Sequence, residues 1–262
     1  MAAEITRLDL RSRRRSAIGY SVGMALYTFV IVALYPAFKG DVSLDQTLSQ
    51  SEGLAAVFGI SGSITTPDGW MNANLYANIG PLIMLLLTIG YGAAAIAGEE
   101  EAGRLDLVTS LPVSRRAILL QKAACMALLT LLVAVVTFLV TLLGRAFDVD
   151  LDAWYLATTT AAMGLLALFF GILALAVGAA TGQKGLAIGV PATLAAAAYL
   201  LSSLAPVVSG LTPWRVLSPF YWSVGDNQLT QGVGWGAAAV LVGICLVALG
   251  AAVVSTERHD LG

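Results

Sequence analysis

The sequence predicts an all-α integral membrane protein with six transmembrane helices, and three observations carry that prediction. Of 262 residues, 58% are hydrophobic and 11% charged, against roughly 45–50% and about 25% in an average soluble domain. A soluble chain of this size could not hide so much apolar surface in one core. The apolar residues also fall in blocks, several longer than the roughly 18–20 residues that cross a bilayer. Finally, the basic residues gather on alternate connections between those blocks, as the positive-inside rule requires. An ordinary cytosolic enzyme, a secreted disulfide scaffold and a disordered chain are excluded.

Taken in order, the spans fall at about 17–38, 75–97, 118–143, 154–180, 185–206 and 233–254, within a single transmembrane domain over 1–262. Residues 1–16 form a basic segment at the inner membrane surface, attracted to anionic lipid. Ser12-Arg13-Arg14-Arg15 ahead of an apolar stretch imitates an export signal. The stretch is longer than a usual signal core, however, and five more spans follow. In the connection from Lys39 to Asn74, Leu44, Leu48, Leu54, Ala55 and Phe58 recur at helical spacing, which predicts a helix lying in the outer interface. Thr66-Pro67-Asp68-Gly69 then reads as a turn before Trp70. Short polar breaks run from Phe147 to Asp152 and from Thr181 to Lys184, the latter among Gly178, Gly182 and Gly185. The last outer connection, 207–231, has Pro206 just before it and carries Pro213 and Pro219 among aromatics. It predicts short broken helices.

Orientation follows from the basic residues. Arg7, Arg11, Arg13, Arg14, Arg15, Arg104, Arg115, Arg116, Lys122, Lys184 and Arg258 share one side, while Lys39, Arg145 and Arg215 share the other. The eleven-to-three split predicts that both termini lie in the cytoplasm; the expected location is the plasma membrane, multi-pass. Trp70, Trp154, Trp214, Trp222 and Trp235 all fall near the outer boundary, as an interfacial belt would.

Several enzyme-like patterns lack their context. Cys125 and Cys245 stand in apolar blocks and read as small core residues; His259 lies in the polar tail. Gly19-Tyr20-Ser21-Val22-Gly23 has the form of a nucleophile elbow but opens a membrane helix with no histidine nearby. It reads instead as close helix packing through small residues four apart. Gly59-Ile60-Ser61-Gly62 is similar to intramembrane serine proteases, without their histidine in any span. Gly178 to Lys184 lacks the spacing and the Ser/Thr of a P-loop. No catalytic residue, metal site or bound cofactor is expected, and no nucleic-acid partner. With Lys122 counted to the cytoplasmic flank, no charged residue remains inside a span. Ion-coupled carriers usually need one on the path, so the energy for any transport comes from outside the chain.

The most distinctive segment is the second connection. Gly98 is positioned to cap the second span, and Glu99, Glu100 and Glu101 to open a short helix, where carboxylates suit the dipole. Gly103 and Arg104 follow; Leu105, Val108 and Leu111 then make one apolar stripe, with Leu107 beside it. Pro112 ends the segment and Ser114 caps the next helix. Arg115 and Arg116 sit in that helix's first turn, where positive charge is mildly unfavourable. Helix stability does not explain them; the positive-inside rule or contact with a polar partner does. A short amphipathic helix between charged clusters suits docking in a groove, or lying on lipid.

The run Gly-Glu-Glu-Glu-x-Gly-x-Leu-x-Leu…Ser-x-Pro-Val-Ser-Arg-Arg resembles the cytoplasmic loop of ABC type-2 permeases, the membrane subunits of ABC exporters. Arg104 stands where the family commonly has Thr or Ser, and Asp106 where Glu is usual. Leu217-Ser218-Pro219-Phe220, Gly225-Asp226 and Gly232 are further similar to permeases of the antibiotic and multidrug export group. The resemblance implies a half-transporter. Two six-span subunits, identical or homologous, pair around a path for a hydrophobic or amphipathic small molecule. Separate ABC ATPase subunits, holding ATP and Mg, bind the loop helix near 102–111 as a coupling helix. Two other readings are a non-transporting membrane scaffold or sensor using the same ATPase contact, and an intramembrane enzyme, which the missing His and acidic residues oppose.

Overall fold

The structure, a computed structural model, describes residues 13–40, 63–101, 103, 114–225 and 228–258. Its helices are α1 (Arg14–Phe38), α2 (Pro67–Met71), α3 (Ile79–Ala95), α4 (Ala97–Glu101), α5 (Arg115–Leu143), α6 (Ala153–Thr181), α7 (Lys184–Leu204), α8 (Pro219–Val224) and α9 (Trp235–Arg258). A π-helical turn, Asn72–Tyr76, joins α2 to α3, and 3-10 turns lie at Gly144–Phe147 and Thr212–Leu217. No strand occurs among the described residues. The interfacial helix expected around 44–58 lies outside them.

Among the described residues, six helical stretches are long and apolar enough to cross a membrane: Arg14–Phe38, Pro67–Ala95, Arg116–Phe147, Ala153–Thr181, Lys184–Leu204 and Trp235–Val254. The shortest has 20 residues, which at the helical rise reaches about 30 Å, the thickness of the hydrocarbon core. The broken helices expected in the last connection are the Thr212–Leu217 turn and α8.

The second span starts eight residues earlier than its hydropathy suggests. Thr66-Pro67-Asp68-Gly69 is not a turn ahead of the helix but its opening. Thr66 Oγ1 accepts from the Gly69 amide at 3.3 Å, and Pro67 occupies the first turn, where its missing N–H costs nothing. Trp70, expected in the interfacial belt, is buried. Its indole stacks on Phe38 at 5.0 Å between ring centroids and donates to the Ile31 carbonyl at 2.9 Å. It therefore fastens the second span to the end of α1. Trp154, Trp214 and Trp235 are exposed.

The π turn between α2 and α3 frees carbonyls that an unbroken helix would have used. In hydrocarbon such groups need partners, and side chains supply them. Tyr27 Oη donates to the Asn74 carbonyl at 2.7 Å, Asn78 Nδ2 to the Ala73 carbonyl at 3.2 Å, and Asn74 Nδ2 to the Trp70 carbonyl at 3.0 Å. Tyr76, wholly buried, pairs its hydroxyl with Thr160 at 2.9 Å.

The centre of the bundle is the α3–α6 contact. A Cβ on Gly92 would lie 2.3 Å from the Gly171 carbonyl oxygen, so the two backbones touch. Thr88 Oγ1 donates across the same contact to the Ala167 carbonyl at 2.7 Å. The expectation that Gly19 and Gly23 make a close helix contact is not met, since nothing lies within 4 Å of where their Cβ atoms would stand. They belong to the broad apolar face of α1 that carries the exposed Ile18, Val22 and Leu26.

Candidate coupling site and membrane cavity

At the end of the bundle where α1 begins, Lys122 and Lys184 lie beside α4. Arg13 lies over the Tyr91 ring at 4.3 Å and so holds the start of α1 to α3. The second span does not stop at Gly98. Its helix breaks at Ile96 (φ −120°, ψ −66°), and Gly98 lies inside α4. The break turns Ala97, fully buried, toward Gly178 of α6, whose added Cβ would stand 3.4 Å from that of Ala97. Burial of Ala97, not the conformational freedom of Gly98, fixes the bend.

The three glutamates of α4 each meet a different partner. Glu99 Oε1 accepts from Lys122 Nζ of α5 at 2.6 Å. Lys122, counted from sequence as a solvated flanking charge, is only 5% exposed; it sits two turns into α5, and the carboxylate permits its burial. The Glu100 carboxylate lies against Gly182 in the α6–α7 turn, where a Cβ would approach it to 2.9 Å. Gly182 also closes α6 in the left-handed conformation, φ +64°, which glycine adopts at no steric cost. Glu101 Oε1 accepts from the Lys184 amide at 2.9 Å, at the first residue of α7. The cap residue of α7, Gln183, makes no side-chain cap bond of its own, so Glu101 caps that helix from across the bundle.

Beyond α4 the Gly103 amide donates to the Glu100 carbonyl at 2.9 Å. Arg104, Leu105, Leu107, Val108, Leu111 and Pro112 lie outside the described residues. The chain returns at Ser114, whose hydroxyl accepts from the Ala117 amide at 3.3 Å and caps α5. Arg115 opens α5 and Arg116 is exposed in its first turn. Of the site residues expected from sequence, Glu99, Glu100, Glu101, Gly103, Ser114 and Arg116 thus cluster at one end of the bundle. Lys122, Gly182 and Lys184 complete the cluster. Sequence reasoning misses them as a group, because their partnership spans up to 83 positions and leaves no local pattern.

A second feature lies within the spans. Between α3, α7 and α8 is a cavity of about 550 Å³ with walls of Leu82, Leu86, Ile89, Ile188, Ala192 and Phe220. Its polar edge is Asn78, whose Oδ1 accepts from Tyr199 Oη. Ser218 fixes the helix that brings Phe220 to the cavity: it caps α8 by accepting from the Phe220 amide at 3.2 Å, and its hydroxyl donates to the Ala198 carbonyl of α7 at 2.6 Å. Cys125 and Cys245 are both free thiols, and Cys245 Sγ donates weakly to the Leu165 carbonyl at 3.4 Å. Among the described residues, no group of three His, Cys, Asp or Glu side chains is placed to hold a metal.

Comparison with known proteins agrees with this architecture. A search of curated proteins gives no significant match. A family model described as ABC-2 family transporter protein matches residues 3–261, taking in all six spans, the residues around α4 and the cavity. With nearly its whole length matched and six apolar helices to fill the membrane, the chain belongs to the ABC-2 family of transporter proteins.

Proposed function

We propose that this chain is the membrane-spanning half of an ATP-driven exporter. As an ABC-2 family member it is a multi-pass membrane permease of an ABC transporter, a family that works with ABC ATPase partners. In the proposal two permease subunits, identical or homologous, flank a path in the plasma membrane. Both termini face the cytoplasm, and ATP and Mg reside in the ATPase. The loop helix around 102–111 is the coupling helix. The observation that supports this is where the segment is rooted: it leaves from α4 and returns at the Ser114 cap, and the Glu99–Lys122 pair joins the two roots. A push on a segment rooted so firmly is delivered to the spans.

The cavity supports the substrate class. Its walls are apolar, and Asn78 and Tyr199 supply the polar edge, which suits a hydrophobic or amphipathic molecule with one hydrogen-bonding group.

The test is Val108→Asp. If Leu105, Val108 and Leu111 enter an ATPase groove, the substitution buries an unpaired charge there, which costs several kcal/mol. Insertion should be unaffected, because residue 108 lies outside every span that the sequence predicts. At matched expression, co-purification of the ATPase and vesicle transport should fall together. Charge reversal at Arg115 and Arg116 should do less, since exposed pairs contribute about 0–1 kcal/mol each. Unchanged association and transport in Val108→Asp would falsify the coupling assignment.

A further inference from the structure

Three adjacent carboxylates in a five-residue helix need a reason. The dipole of little more than one turn is small, and like charges side by side repel. Their geometry supplies the reason: at 3.6 residues per turn, successive side chains point about 100° apart, so the three leave α4 in three directions. Glu99 meets the buried ammonium of Lys122 on α5, Glu100 covers Gly182 at the end of α6, and Glu101 caps the first residue of α7. Lys122 is buried and so depends on its partner. The Glu100 carboxylate lies beside Gly182, which the left-handed backbone already favours as glycine, and α7 has no side-chain cap of its own.

We propose that Glu99 and Glu101 are positioning residues that hold the ends of α5 and α7 as one unit at the root of the loop, so that a displacement of the loop reaches both spans together. This rests on the reading of the helix around 102–111 as the ATPase contact, but it assigns the carboxylates a task distinct from docking. Glu99 and Glu101 contact the permease's own helices, Glu101 at the exposed rim, and transmit rather than bind.

The experiment uses the full chain in lipid nanodiscs, alone and with its ATPase, with Cys125 and Cys245 replaced by Ala. Nitroxide labels are placed at Leu120 of α5 and Gly185 of α7, both exposed, and their separation is measured by double electron–electron resonance. The parent chain should give a single narrow distance, retained when the complex is trapped with Mg·ATP and vanadate. Glu99→Gln and Glu101→Gln should lose that single distance while retaining the ATPase at the parent level. The exchange Glu99→Lys with Lys122→Glu should recover it, which a general loss of folding would not allow. A narrow distance in both single variants overturns the proposal, as does failure of the exchange. Loss of the ATPase in step with broadening also overturns it, since the carboxylates would then be part of the docking surface. If the parent chain retains no ATPase, the coupling reading fails instead, and the distances in the chain alone still decide whether the carboxylates hold α5 and α7 together.

Discussion

Gly92 and Gly19 show how far a single letter can be read. Both are glycines in apolar helices, and sequence favours Gly19, four positions from Gly23, as the packing site. In the structure Gly92 touches the Gly171 backbone, whereas a Cβ on Gly19 would meet no other helix within 4 Å. The difference lies in which helix faces which, and no local pattern encodes it. We expect Gly92→Ala to destabilise the detergent-solubilised protein by about 1–3 kcal/mol, the usual cost of overpacking. Gly19→Ala should leave thermal unfolding unchanged. Thr88→Val, which removes the bond to the Ala167 carbonyl, should cost less, about 0.6 kcal/mol, the average for interhelical bonds in membranes. Equal melting temperatures for Gly92→Ala and Gly19→Ala would show that α3 and α6 are not in backbone contact.

At the scale of elements, starts and stops are less legible than helices. Thr-Pro-Asp-Gly opens a turn or a helix with the same letters: Thr caps, Pro fits the first turn, and Asp suits the positive end. The next residue decides between them, and here Trp70 is drawn into the core by Ile31 and Phe38. Glycine's preference for helix ends points to Gly98 as the close of the second span, whereas the bend is set at Ile96 by the burial of Ala97. The Ser114 cap is legible because it is local. The π turn is not, since it depends on Tyr27 and Asn78 reaching back to free carbonyls. Asn78→Leu should therefore cost about 1 kcal/mol, the usual net contribution of a hydrogen bond, and speed amide exchange along 72–78. Unaltered exchange would mean that the π turn holds without its side-chain supports.

For the whole molecule, six spans and the family are legible because composition and block length report directly on the bilayer. The arrangement of the spans is not. The second and fourth are central, with 61% of their apolar windows buried, while the fifth and sixth have 22% and 17%. Hydropathy is similar in kind throughout and does not rank them. The placement of charge does bear on orientation. Lys39 pairs with Asp148 at 3.4 Å and Arg145 with Asp150 at 3.3 Å, at the end opposite to α4. Under the proposed orientation, single cysteines at Ser12, Thr109 and Thr256 should resist an impermeant thiol reagent in intact cells, and those at Gln50 and Gln228 should react. External labelling at Thr109 would overturn the orientation and the coupling site with it.

The capping of α7 by Glu101 has a consequence for how the chain is made. A helix normally carries its cap in the residue just before it, so it can close as soon as it emerges. Here the cap is translated 83 residues ahead of the amide it serves. By the time Lys184 leaves the ribosome, Glu101 has already been delivered at the end of the second span. The order of synthesis therefore lays down the receptor before the helix that needs it, and the fifth span can seat its first turn on arrival.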